Sequence, residues 1–183
     1  MIIFYGEQIQ SNMAQKSFMY FSYGSNMQSD RIHKNSPSAK QKGIGKIDDY
    51  RLDFIRYSDN WHGCSATIVP SRSSEVWGVI WEIDMKDMPN LDKQEGVDAG
   101  IYLVKNVTVQ TLNGDDVECR TYQQTQLPDE YIQPNELPPE RQPSLAYMNR
   151  IIEGAKEYQI PTYYLKFLNS FRHNNYKGPV NIP

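Results

Sequence analysis

The sequence predicts an α+β domain whose middle is a mostly antiparallel sheet with helices beside it. Three observations support this prediction. Four segments are rich in β-branched and aromatic residues, an Asn-Gly dipeptide joins two further alternating runs, and a helical period begins after Ser144. At 183 residues, the chain is long enough for one domain with a substantial core. We assign that domain to residues 18–183 and expect residues 1–17 to form a variable N-terminal arm.

The strand segments precede a predicted hairpin. Their compositions favour strands over residues 18–23, 50–57, 64–69 and 75–83. Asn113-Gly114 then lies between two alternating runs, which is typical of a type I′ hairpin turn.

Helices are predicted at four places. Ser25 or Asn26 can cap a short helix that runs to about His33, and residues 85–96 can form another, with Gly96 as the residue just past its end. After Ser144, apolar residues recur at intervals of three and four, and Pro161 can open a further helix. Five prolines in residues 127–143 indicate a long surface loop, either a lid or a tolerated insertion.

Charge and cysteine content exclude several functions. The net charge is -3 without a basic run, which argues against nucleic-acid binding, and no segment resembles a signal peptide or a membrane span. Cys64 and Cys119 are far apart, which favours buried thiols in a reducing compartment such as the cytoplasm. The three histidines are scattered, so we expect no metal and no other cofactor.

The first candidate site follows the strand at residues 18–23. Gly24 there permits a positive φ or the close approach of a ligand, and the amides of Ser25 and Asn26 at a helix start would favour an anion. The alternative is an ordinary turn with a helix cap.

Glu95 is the second candidate. If Gly96 ends a helix, Glu95 lies in the last turn, where the helix dipole disfavours a carboxylate and raises its pKa, as a general base near neutrality requires. The alternative is a solvated surface glutamate. Tyr102 in the following strand points into the same cavity or merely packs. We expect Trp61, Trp77 and Trp81 to belong to the core.

Several blocks resemble one known family in order and spacing. They are YGSN at 23–26, NSPSA at 35–39, WHGCSATI at 61–68, EVWGVIWEI at 75–83 and LDKQEGVDAGIY at 91–102. With the late EGAKEYQIP, they make residues 18–176 similar to the γ-glutamylcyclotransferases.

The resemblance implies a mixed, mostly antiparallel β-barrel with flanking helices, and cleavage of γ-glutamyl amino acids to 5-oxoproline and a free amino acid. It implies that Glu95 is the catalytic acid/base. The substrate would be bound by Tyr23, Gly24, Ser25, Asn26, Tyr102 and Tyr147. Family members often form dimers, so a homodimer is a partner that the resemblance allows.

The chemistry needs no enzyme nucleophile, because the α-amine and the γ-carbonyl belong to one substrate molecule and close a five-membered lactam. Glu95 would take a proton from the ammonium and return one to the departing amine. Two alternatives stay open: a relative that acts on glutathione or γ-glutamyl-ε-lysine, and a non-catalytic protein-binding homologue.

Overall fold

The computed structural model describes residues 16–181 and consists of a closed five-stranded barrel with four flanking helices. The predicted arm lies outside the described residues except for Lys16 and Ser17, and Ser17 already begins the first strand. The strands are β1 Ser17–Ser22, β2 Lys40–Ser58, β3 Gly63–Asp84, β4 Tyr102–Thr111 and β5 Asp116–Gln124. The helices are α1 Ser29–Asn35, α2 Met88–Glu95, α3 Leu145–Glu157 and α4 Thr162–Leu168.

The barrel closes in the order β1-β3-β2-β4-β5. Four of its pairings are antiparallel, and β1 closes the ring with a parallel bridge from Tyr20 to Arg120 of β5. β1 is thus paired on both edges, and Phe18, Tyr20 and Phe21 are buried in the core. The mixed, mostly antiparallel barrel is confirmed.

The β2-β3 hairpin is longer than predicted. β2 begins ten residues earlier than expected, and β3 is one strand where the sequence predicts two. The early start of β2 was missed because residues 40–49 are rich in charged residues and glycine. The continuity of β3 was missed because Pro70 follows directly after the first predicted segment. In the structure Pro70 pairs with Tyr50, and the register shifts nearby, where Asp49 has a φ of 62°. The irregularity lets the long strands bend without ending.

The β4-β5 hairpin is confirmed, but the predicted type I′ turn is wrong. Type I′ needs a positive φ at both central residues, and of the pair only Gly114 has one, at 85°. The Gly114 amide donates to the Thr111 carbonyl at 3.0 Å. Four residues separate the strands, so a single left-handed glycine completes the reversal.

The predicted helix from Ser25 or Asn26 to His33 is divided. Ser25–Met27 forms one 3-10 turn, Gln28 is extended with a ψ of 130°, and α1 begins at Ser29. The other three helices lie where expected. α2 ends at Gly96, whose φ is 66°, and the Ser144 hydroxyl caps α3 by accepting from the Tyr147 amide.

Residues 127–143 form a surface loop with two 3-10 turns, Pro134–Glu136 and Pro139–Arg141. Arg141 fixes the loop to β2 by donating to the Phe54 carbonyl at 2.6 Å and to the buried carboxylate of Asp53 at 2.5 Å. The loop is therefore held against the barrel wall.

Gly78 permits the closest approach of β3 to β1. A Cβ at this position would lie 2.3 Å from the Ser22 carbonyl oxygen and 2.7 Å from the ring of Phe21. We expect Gly78→Ala to lower the free energy of unfolding by about 1–3 kcal/mol through overpacking, measured by urea denaturation. Arg72→Ala, on an exposed part of the same strand, is the control and should change it by less than about 0.5 kcal/mol. Equal midpoints for Gly78→Ala and wild type would contradict this packing.

Candidate functional site

A cavity with two adjoining chambers opens at one end of the barrel. The inner chamber has a volume of about 40 Å³ and the outer one about 330 Å³. Four side chains line both chambers, those of Ser25, Glu95, Tyr102 and Tyr147. The inner chamber is lined by all seven residues that the sequence nominated, which are Tyr23, Gly24, Ser25, Asn26, Glu95, Tyr102 and Tyr147.

Four different elements bring these residues together. Residues 23–26 follow β1 directly, Glu95 is the last residue of α2, Tyr102 is the first residue of β4, and Tyr147 lies in the first turn of α3. Gly96 makes the placement of Glu95 and Tyr102 possible. Its left-handed conformation ends α2, and the amides of Gly96 and Val97 donate to the carbonyls of Lys93 and Asp92 at 3.1 and 3.0 Å.

Of the two roles that the sequence allowed for Gly24, the positive φ does not occur, since φ is −112°. A Cβ there would meet the Tyr147 hydroxyl at 3.4 Å and the Ala66 Cβ at 3.8 Å, which is ordinary contact. Only one 3-10 turn follows Gly24, so no helix dipole is available to attract an anion. An anion could be bound here only by the local backbone amides and side chains. Gly24 thus lines the cavity with bare backbone.

Glu95 is held by two amide side chains. Asn26 Nδ2 and Gln94 Nε2 donate to Glu95 Oε1 at 3.1 and 3.0 Å, and Gln94 Nε2 also donates to Asn26 Oδ1 at 3.0 Å. Asn26 Nδ2 lies 3.1 Å from the Tyr20 hydroxyl as well. Within residues 16–181, no hydrogen bond reaches Oε2 of Glu95, so one oxygen is fixed and the other can exchange a proton.

The pKa of Glu95 is raised, and burial is the largest cause. The nearby charge of Arg31 and the hydrogen bonds from Gln94 and Asn26 lower that pKa, but they do not cancel the loss of hydration. The predicted direction is confirmed, and its largest cause is desolvation, which the sequence did not predict. A carboxyl with raised proton affinity suits general acid/base work.

The tyrosines form a rigid, neutral wall. Tyr23 donates to the Tyr122 carbonyl at 2.6 Å, and Tyr102 donates to the Ala66 carbonyl at 2.7 Å. The Tyr147 hydroxyl accepts from the Ala66 amide at 3.2 Å. Burial raises the pKa of Tyr147 to about 12, and the pKa values of Tyr23 and Tyr102 are also raised. These phenols stay protonated near neutrality and shape the cavity.

Sequence reasoning missed several lining residues. Neither Gln94, next to Glu95, nor Arg31, in α1, was identified from the sequence. In the structure Arg31 Nη1 donates to Gln94 Oε1 at 3.2 Å. Residues 56–61 form the mouth of the outer chamber. Trp61 is buried as expected, yet it also lines this chamber and packs on Tyr147 with ring centroids 4.6 Å apart. Residues 127–143 line neither chamber.

The cysteines do not take part in the cavity. Cys64 and Cys119 are buried free thiols, and burial raises their pKa values to about 11 and about 12. A thiol with a raised pKa is a poor nucleophile. Over residues 16–181, no helix is long and apolar enough to cross a membrane.

Glu95→Gln should make the protein more stable at neutral pH, because it replaces a buried charge with a neutral amide of equal size. The folded protein binds the Glu95 proton more tightly than the unfolded chain does. Wild-type stability therefore falls as pH rises between the unfolded pKa of about 4.3 and the higher folded pKa. Urea unfolding at several pH values should show the variant's advantage grow across that window and stay constant below it.

Glu130→Gln is the matched control for this titration, since Glu130 is exposed and lies outside both chambers. Its stability difference from wild type should not grow with pH. An advantage of Glu95→Gln that is the same at pH 4 and pH 8 would contradict the raised pKa.

The chain is similar to several known proteins. Residues 75–168 match the model of the AIG2-like family. Over 170 residues the chain is 42% identical to the γ-glutamylcyclotransferase of Bos taurus, covering 91% of this chain and 85% of that protein. The Homo sapiens protein of the same name is 39% identical over 171 residues, with the same coverage.

A solved structure named gamma-glutamyl cyclotransferase superposes with a TM-score of 0.81 at 37% identity, covering 90% of this chain and 94% of that one. The sequence similarity and the structural similarity cover 91% and 90% of this chain, respectively. The chain belongs to the γ-glutamylcyclotransferase family.

Proposed function

We propose that this chain is a γ-glutamylcyclotransferase that converts γ-glutamyl amino acids into 5-oxoproline and a free amino acid. The observation that carries the proposal is the buried carboxyl of Glu95, which is oriented by Asn26 and Gln94 and lines the cavity. The curated relatives named γ-glutamylcyclotransferase support the same activity.

The first step is proton removal from the substrate. The α-ammonium of a γ-glutamyl amide cannot attack a carbonyl until it loses a proton. Glu95 as a carboxylate accepts that proton, and its raised pKa makes it a stronger base than an exposed glutamate. The fixed Oε1 sets the orientation in which Oε2 receives the proton.

The second step is lactam closure. The free α-amine attacks the γ-carbonyl carbon of the same molecule, and a five-membered tetrahedral intermediate forms. Collapse of the intermediate breaks the bond to the leaving nitrogen, which takes the proton held by Glu95. The ring nitrogen then gives its second proton to the Glu95 carboxylate, which passes it to the released amine. The products are 5-oxoproline and the amino acid, with Glu95 ionised again, so the cycle is a lyase-type cleavage without water.

The wall of the chamber would determine the bent shape of the substrate. Tyr23, Tyr102 and Tyr147 are held in place by hydrogen bonds to backbone atoms, so they can press the glutamyl chain toward the cyclising conformation. The polar groups of residues 24–26 would hold the α-carboxylate or the carbonyl oxygen.

We also propose a cytoplasmic location and allow a homodimer. The two free, buried thiols support the location, because they fit a reducing compartment. Size-exclusion chromatography with light scattering would decide the oligomeric state.

Purified protein with a metal chelator should release 5-oxoproline from γ-glutamyl-alanine, and Glu95→Gln should lower kcat by at least about 100-fold because it removes the proton carrier. Glu130→Gln, the same chemical change at an exposed position, is the control and should match wild type. Release by Glu95→Gln at the wild-type rate would contradict the mechanism. Absence of release by wild type would direct the search to glutathione, γ-glutamyl-ε-lysine or a protein partner.

A further inference from the structure

The mouth of the outer chamber carries charges that the proposed chemistry does not use. It is formed by residues 56–61, where β2 ends and the chain turns toward β3. Arg56 and Asp59 are the charged side chains of this segment, and both are exposed. Deeper in the cavity, the charged lining residues are Arg31 and Glu95.

The backbone of Arg56 is held by hydrogen bonds to two residues that also contact Tyr102. Its amide donates to Gln124 Oε1 at 3.2 Å, and its carbonyl accepts from the Ser65 hydroxyl at 3.3 Å. Gln124 Nε2 and Ser65 Oγ in turn lie 3.1 and 3.2 Å from the Tyr102 hydroxyl. The backbone of Arg56 is therefore fixed relative to Tyr102, which lines both chambers.

The guanidinium of Arg56 is available for an anion. Within residues 16–181 it makes no ion pair, and Asp59 is not paired with it. Arg31 differs, because it is only 3% exposed, lies near Glu95 and donates to Gln94. Arg31 thus belongs to the catalytic network, while Arg56 is a cation at the entrance.

The substrate has a group that matches this cation. A γ-glutamyl amino acid carries one carboxylate on the glutamyl end and a second on the amino acid that leaves. Glu95, which the α-amine must reach, lies where the two chambers meet. The inner chamber of about 40 Å³ is too small for an amino acid, so the leaving amino acid occupies the outer chamber of about 330 Å³, toward the mouth. Its carboxylate then lies on the side of the cavity where Arg56 is found.

We propose that Arg56 binds the carboxylate of the leaving amino acid and makes this carboxylate a determinant of substrate specificity. The inference rests on the proposed function and deepens it. An arginine pairs with a carboxylate through two parallel hydrogen bonds, which fixes orientation as well as charge. The site distinguishes single amino acids from longer leaving groups, because in glutathione or γ-glutamyl-ε-lysine the terminal carboxylate lies several bonds farther from the scissile amide.

Two substrates that differ only in this carboxylate test the proposal: γ-glutamyl-alanine and γ-glutamyl-alaninamide. Arg56→Gln should raise KM for γ-glutamyl-alanine by about 10- to 100-fold with little change in kcat, as expected for a lost charge-assisted hydrogen bond that acts on binding. The KM for the amide should change by less than about twofold, since it has no carboxylate to lose. Comparing the same pair in both proteins cancels the difference in leaving-group reactivity.

Arg56→Lys should recover part of the preference, because it keeps the charge and loses the two-pronged geometry. Arg72→Gln is the matched control, an exposed arginine of β3 that lines neither chamber, and it should leave both KM values unchanged. Equal effects of Arg56→Gln on the two substrates, or no effect on either, would overturn the role of Arg56 while leaving the cyclotransferase activity in place. A wild-type protein that releases 5-oxoproline from neither substrate would instead overturn the proposed function, and the inference with it.

Discussion

The burial of one carboxyl group at the end of α2 is the constraint on which the site depends. Glu95 loses hydration, and the two amides and the arginine near it recover only part of that loss, so its pKa stays raised. Asn26 and Gln94 hold one oxygen without donating a full charge. An arginine in direct contact would instead stabilise the carboxylate and make it a weaker base. The neutral partners therefore preserve the basicity that burial creates.

The fold serves this carboxyl by bringing distant segments to one end of the barrel. The Schellman ending at Gly96 stops α2 at Glu95 and turns the chain toward Tyr102, and the closure of β1 between β3 and β5 places residues 23–26 opposite. Gly78 allows that closure, since β3 passes within contact of the Ser22 carbonyl. Tyr147 adds the third wall from α3, and its hydroxyl meets the Ala66 amide. The packing of the barrel thus determines the geometry of the cavity.

The sequence predicted the parts of the site that depend on neighbouring residues in the chain. It missed those that depend on contacts between residues far apart in the sequence. Gly96 and Ser144 mark helix ends through their own conformations, and α2 and α3 end and begin where expected. Glu95, Tyr102 and residues 23–26 came from motifs, and the cavity contains them all. Gln94, Arg31 and Arg56 became visible only in three dimensions, because their partners lie on other elements. Likewise, the long β2-β3 hairpin is held by cross-strand pairing that its polar residues 40–49 do not reveal.

The central claim is that the cavity moves protons while the substrate attacks itself. Turnover of γ-glutamyl-alanine in water enriched in oxygen-18, followed by mass spectrometry of the products, tests this claim most directly. The account predicts one unlabelled 5-oxoproline for every alanine released and no free glutamate, since no water enters the product. Glutamate carrying oxygen-18 in its γ-carboxylate would show that water is the nucleophile and would contradict the account.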